Sequence, residues 1–235
     1  MNTNQPFDLE LTRAQASERS FISQVYLWMA LGLALTAMVA WGVAASPSVV
    51  MALVRNPFLF LMMALVQIGL VMWLSSAVLN MSLTTATVGF SIYATLNGVI
   101  FSTIFLAYTY ASIASTFLTT ALTFGAISIY GFTTRKDLTS VGSFAFMALI
   151  GLIVASLVNL FLRSAMFDLV LSYIGVLIFV GLTAYDTQQL KRIHEQGFAG
   201  GEALQKMSLL GALKLYLDFI NLFLLLLRIM GRRRD

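Results

Sequence analysis

From Phe21 to Met230 the chain alternates long apolar runs with short polar breaks. Each run is near the twenty or so residues that an α-helix needs to cross a hydrocarbon core of about 30 Å. The pattern predicts seven spans, over Phe21–Ala45, Phe58–Leu79, Leu83–Tyr108, Ser112–Phe132, Gly142–Leu162, Asp168–Gln188 and Leu209–Met230. Pro47, Arg55, Asn56 and Pro57 stop the first run and start the second. Thr133–Leu138, TTRKDL, is a solvated connection, and the longest loop, rich in Lys, Arg, Glu and Gly, separates the last two spans. The expected architecture is an all-α membrane protein, a seven-transmembrane-helix bundle over residues 21–230. A polar N-terminal tail (1–20) precedes it and a basic C-terminal tail (231–235) follows. Ala14, Ala16 and Glu18 favour helix late in the first tail. Phe21–Ala45 is long enough to span and no cation precedes Arg13, which sets it apart from a cleavable signal. No internal repeat supports an inverted-repeat transporter.

Composition agrees, with 59% hydrophobic and 10% charged residues, far from the soluble balance. The formal charge of +4 sits largely in loops and tails. Arg232, Arg233 and Arg234 read as a membrane anchor, and no solvated domain with interleaved aromatics offers a nucleic-acid surface. The chain has no cysteine, which excludes disulfides, thiolate metal sites and thiol catalysis. His194, the only histidine, reads as a solvated loop residue, so no histidine metal cluster forms. Seven spans put Arg13, Arg19, Arg135, Lys136, Lys191, Arg192 and Lys206 on one side and Arg55, Arg163, Arg228 and Arg232–Arg234 on the other. That near balance sets no orientation. Six spans and a re-entrant last segment would instead bring the two clusters together.

Two of the acidic residues, Asp186 and Asp218, lie well inside apolar runs, whereas Asp168 sits at a span boundary where it could cap a helix. Ionisable groups at membrane depth need partners and mark ion or proton paths. At similar depth on neighbouring helices, two carboxylates cannot both ionise cheaply, so they share a proton. Protonated, the pair can bond across the last two spans; deprotonated, it repels and offers oxygen ligands to a hard cation such as calcium. Counted from the loop, the two residues lie at different depths. They meet only if span six extends further or span seven is tilted or broken. The alternative is an ion pair of Asp218 with Lys214, one turn earlier. Gly211, Lys214, Asp218 and Asn221 form one polar stripe.

A second stripe, Ser112, Ser115, Thr116, Thr119, Thr120 and Thr123, either lines a water-filled path or bonds to its own helix. Gln67, Tyr93 and Asn97 carry the same alternatives. Small residues such as Ala30, Ala34 and Ala37, or Gly151 and Ala155, suggest close helix packing. No phosphate loop, nucleophile elbow or zincin helix occurs, and neither aspartate has the GxGD-type setting of an intramembrane aspartyl protease. The chain therefore reads as a non-enzyme without a tightly bound cofactor.

GLTAYDTQ (181–188) and LYLDFINLFLLLLRI (215–229), with YASIASTF (110–117) and TTRKDL, resemble the Bax inhibitor-1 family, in particular its bacterial inner-membrane members. The resemblance implies a seven-helix fold and a pH-sensitive calcium leak whose sensor is Asp186 and Asp218. Lys214, Asn221, Gln67, Asn97, Thr116, Thr119 and Thr123 are the accompanying candidates for tuning or pore lining. In structurally described relatives an acidic residue and an arginine on the second helix exchange contacts with the sixth-helix aspartate; here the second span offers Gln67 and no arginine. The family also implies an alternative, a non-conducting regulator that binds a membrane-bound ATP-dependent protease or other membrane machinery through the N-terminal tail. A proton-coupled transporter is a further rival.

Overall fold

The computed structural model describes the backbone of residues 5–195 and 201–234 and the side chains of residues 20–193 and 201–234. Residues 1–4 of the expected N-terminal tail and the last residue of the C-terminal tail lie outside the described residues. The chain order is α1 (Gln5–Ala44), α2 (Pro47–Arg55), α3 (Pro57–Ala77), α4 (Leu83–Phe101), α5 (Ile104–Ala107), α6 (Tyr110–Thr133), α7 (Thr139–Leu162), α8 (Ala165–Glu195) and α9 (Glu202–Met230). Seven of these segments are long and apolar enough to cross a membrane, with α4 and α5 counted as one.

The boundaries follow local chemistry. Pro47 and Pro57 open α2 and α3 at positions where a missing N–H costs nothing. The Asn56 side chain accepts from Leu59 N (3.1 Å), and Ser82 and Thr109 likewise cap α4 and α6. The third run was expected unbroken but is interrupted at Ser102 and Thr103, whose hydroxyls bond back to the carbonyls of Val99 and Ile100 (2.6 and 2.8 Å). Helix α8 continues through His194 to Glu195, so this histidine belongs to a helix and not to the loop expected for it.

Helix α9 is the central element, packed on α1, α4, α6 and α8, while α3 and α7 are peripheral and pack chiefly on α4 and α8. Continuous from Glu202 to Met230, α9 leaves no room for the re-entrant alternative. Its axis is pinned by Tyr216, fully buried, whose hydroxyl bonds Thr36 Oγ1 (2.7 Å) and whose ring stands edge-on to Phe90 and Tyr93. Thr36 in turn reaches the Ala94 carbonyl (2.9 Å) and ties α1, α4 and α9 together. Tyr216→Phe is expected to lower stability by about 1 kcal/mol, read from thermal unfolding in detergent, because Thr36 keeps its carbonyl partners.

Two faces result. On the loop face, Glu202 accepts from Leu83 N, and Gln188 meets the α6–α7 connection. On the opposite, arginine face, Arg228 pairs with Asp168, and the C-terminal tail runs beside the α5–α6 connector. There Thr109 N donates to Arg232 O (3.1 Å) and Arg234 N to Ala107 O (3.0 Å). Arg234 also donates to Phe105 O and lies over the Tyr110 ring. The tail expected as a membrane anchor is therefore docked on the bundle through Arg232 and Arg234. Ala30, Ala34 and Ala37 face outward, and nothing lies close to Gly151. Close approaches occur instead at other glycines, among them Gly131 on α6, set directly against the Ala184 backbone of α8.

Candidate functional site

Along α9 one face carries Lys214, Asp218, Asn221, Leu225 and Arg228, spaced alternately four and three residues apart. With Phe179, Leu182, Tyr185 and Asp186 of α8, and α7 from Gly142 to Leu160, these residues line a cavity of about 930 Å³. Half of its lining residues are Leu or Phe; Ser143, Ser156 and Tyr185 add hydroxyls beside the α9 stripe. The cavity exists because α7 packs on α8 and stays apart from α9. From Lys214 to Arg228 the stripe spans roughly 21 Å of helix, most of a hydrocarbon core.

The antiparallel register of α8 and α9 places the aspartates. Gly211 lies against Leu190 and Gly175 against Leu225, which sets Asp186 level with Lys214 and Asp218 about one turn (~5–6 Å) further along. The depth mismatch expected from the sequence thus persists as an offset of about one turn, although α8 extends to Glu195 and α9 begins at Glu202, and the two residues nevertheless line one cavity. Asp218 is 5% exposed, and its Oδ2 is buried with no hydrogen-bond partner. The charges that act on it are Asp186 and Lys214. The ion pairs among the described residues include neither aspartate, so the alternative of a Lys214–Asp218 pair one turn apart is not formed. Asn221 donates to the Leu217 carbonyl (2.8 Å), which leaves its own carbonyl oxygen as an acceptor in the cavity. Among the described residues no cluster of three or more His, Cys, Asp or Glu side chains comes together. A calcium ion here would meet two carboxylates, the Asn221 oxygen and water, a set suited to passage more than to tight storage.

The remaining candidates lie elsewhere. Gln67 is on peripheral α3 with its Nε2 buried and unpartnered, and Asn97 on α4 donates to Tyr93 O (3.2 Å). Thr119 and Thr120 bond to the carbonyls of Ser115 and Thr116 (2.9 and 2.8 Å), and Thr116 is buried. None of Gln67, Asn97, Thr116, Thr119 and Thr123 lines the cavity, because α4 and α6 pack on α9 away from it and α3 packs on α4. Asp168 does not cap α8: Ser164 Oγ accepts from Phe167 N (3.3 Å), and Asp168 pairs with Arg228 (3.2 Å). Arg228 was legible as the continuation of the α9 stripe; the α7 wall was not.

A clamp sits beside Asp186. Gln188 Oε1 accepts from Leu138 N (2.9 Å) while its Nε2 donates to Lys136 O (2.8 Å). Arg192 donates to Asp137 (2.7 Å) and Thr139 (3.0 Å). The Thr139 hydroxyl and backbone N–H, then Arg192, hold the Asp137 carboxyl well below the usual carboxylate range. Its contribution is thus fully present above pH ~4 and fades only as pH falls through its depressed value, so the clamp stays charged throughout the physiological range. Gln188→Leu is expected to raise hydrogen exchange at Leu138 and the following amides by about tenfold, against unchanged exchange in α1.

The family model described as inhibitor of apoptosis-promoting Bax1 matches residues 18–235. The chain belongs to the Bax inhibitor-1 family. It is 49% identical to the inner membrane protein YbhL of Escherichia coli K12, over 95% of this chain and 96% of that one. It is 43% identical to a protein of Borreliella burgdorferi over 93% and 94%, and 37% identical to a membrane protein of Streptococcus pyogenes over 94% and 96%. With seven membrane-crossing helices, this Bax inhibitor-1 family member is an integral inner-membrane protein.

Proposed function

We propose that the seam between α7, α8 and α9 conducts cations, calcium foremost, and that Asp186 and Asp218 gate it by pH. One observation carries the reading: both aspartates and Lys214 face the same cavity, which continues to Arg228 near the opposite face. With both carboxylates ionised the trio has a net negative charge and attracts cations; one proton neutralises it. Flux therefore rises as pH rises through the titration of the pair. Entry and exit without tight binding suit two carboxylates joined by one amide oxygen and water. The chemistry is passage, with no catalytic step and no bound cofactor.

Blocking the seam tests this. Asn221→Trp, halfway along, is expected to cut calcium entry into proteoliposomes by at least about tenfold. Leu122→Trp, on the outward side of α6, should leave it unchanged. Equal flux in the two variants would place the path elsewhere.

A further inference from the structure

The arginine face is unusual in its charge. Among the described residues it carries Arg55, Arg163, Arg228, Arg232, Arg233 and Arg234, no lysine, and Asp168 as its one acid. Guanidinium groups match phosphate oxygens two at a time and serve phosphate recognition better than ammonium groups. Two of these guanidinium groups are committed, Arg228 to Asp168 and Arg234 to Phe105 O and the Tyr110 ring, while Arg232 is held by its backbone to Thr109 and Ser112. Arg163 is in no ion pair among the described residues.

Its position is fixed. Arg163 ends α7 in the left-handed conformation (φ 50°), and Asn159 Oδ1 accepts from Ser164 N (3.2 Å) to hold the turn into α8. Beside it lies a second cavity of about 570 Å³, lined by Arg163, Arg228, Asp168, Asn159, Ser156, Leu160 and Phe161. It shares Ser156, Leu160 and Arg228 with the seam. The basic mouth thus leads directly into a trough walled by Leu149, Leu152 and Leu157 of α7 and by Leu224 and Leu225 of α9. Because α7 stays apart from α9, the trough lies on the membrane side of the bundle, and Leu157, Leu160 and Phe161 are 57%, 69% and 85% exposed. Uncompensated positive charge at the end of a span, with a strip of leucine beneath it, has the polarity of a phospholipid with its headgroup at the interface.

We propose that the trough between α7 and α9 binds an anionic phospholipid, its phosphate on Arg163 and Arg228 and one acyl chain along the leucines of α7 and α9. The Arg228–Asp168 pair orients the Arg228 guanidinium and leaves Arg163 as the uncompensated charge. Zwitterionic lipids share the phosphate but carry a choline or ethanolammonium cation that this net-positive face repels, so the site selects net negative charge. The proposal needs the trough and the two arginines; a bound acyl chain would occupy part of the same seam and exclude cations from it, so its test reads lipid retention and not flux.

Native mass spectrometry of the full chain in detergent tests it, with phosphatidylglycerol and phosphatidylcholine of identical acyl chains, and glycerol phosphate, added separately. Phosphatidylglycerol is expected to be retained in preference to phosphatidylcholine. Arg163→Gln should weaken retention of phosphatidylglycerol by about fivefold, the effect of one interfacial cation. Ser156→Phe, which narrows the trough and leaves both arginines in place, should lower retention of both lipids. Equal retention of the two lipids by wild type, wild-type retention by Arg163→Gln, or undiminished retention by Ser156→Phe would each overturn the site. Glycerol phosphate binding as tightly as phosphatidylglycerol would make it a free-anion site and overturn the lipid assignment.

Discussion

Asp218→Asn is expected to abolish the pH dependence of calcium entry into proteoliposomes while leaving the fold intact. Below its midpoint a single carboxylate changes its ionised fraction about tenfold per pH unit, so wild-type flux should follow a steep curve, and the asparagine variant should be flat within about twofold. The substitution keeps the shape of the side chain and removes its charge. Asp218 is almost fully enclosed, its Oδ2 lacks a hydrogen-bond partner, and Lys214 one turn away does not pair with it. A carboxylate so placed is expensive to bury, and replacing it with a neutral amide removes that cost. Thermal unfolding of Asp218→Asn should therefore match or exceed wild type. A variant that lost both stability and flux would mark Asp218 as a structural residue.

Gly131→Leu is expected to have the largest effect on the fold. Helices α6 and α8 come close enough at this point that even a Cβ would overlap the Ala184 backbone, which has no rotamer with which to yield. A flexible side chain can move aside; a helix backbone moves only with its whole helix. Ala184 is two residues from Asp186, so separating α6 from α8 also displaces the gate. We expect a loss of about 3 kcal/mol or more, near the upper end for overpacking, seen as reduced yield and a lowered unfolding temperature by helical circular dichroism. Gly125→Leu is the control on the same helix, because nothing lies within 4 Å of the position its Cβ would take. If both leucine variants behaved alike, the cost would be helix propensity or expression and not the close approach at Ala184.

Hydropathy alone carried the spans, because length and polarity are local and the bilayer imposes one scale on all of them. Boundaries set by individual hydrogen bonds were less legible: the interruption at Ser102 and Thr103 depends on back-bonded hydroxyls that a helical pattern also tolerates. Amphipathic α2, with Val50 and Leu53 buried, is too short to register as a span and falls in the break between the first two runs. At the site, Asp186, Asp218, Lys214 and Asn221 were visible as polar residues in apolar runs, and the structure brings them to one cavity. The third wall was invisible because α7 contributes mainly leucine and phenylalanine, which look the same facing lipid, core or cavity. Conversely, the hydroxyl stripe of α6 is a real helical face, but periodicity does not say which neighbour a face meets, and these threonines turn away from the seam. The Gln188–Arg192 clamp joins residues some fifty positions apart, beyond the reach of any local pattern.

The central claim is that Asp186 and Asp218 act as one gate on one path. It is tested most directly by calcium flux into liposomes carrying purified wild type, Asp186→Asn, Asp218→Asn and the double variant, each across a pH series. The account predicts a pH-dependent leak in wild type, its pH dependence lost in either single variant, and no further change in the double, because two residues that share one proton fail as a unit. Independent shifts that add in the double variant would contradict a shared gate. Wild-type liposomes no leakier than protein-free ones at any pH would contradict conduction itself and leave the bundle acting through partners it binds.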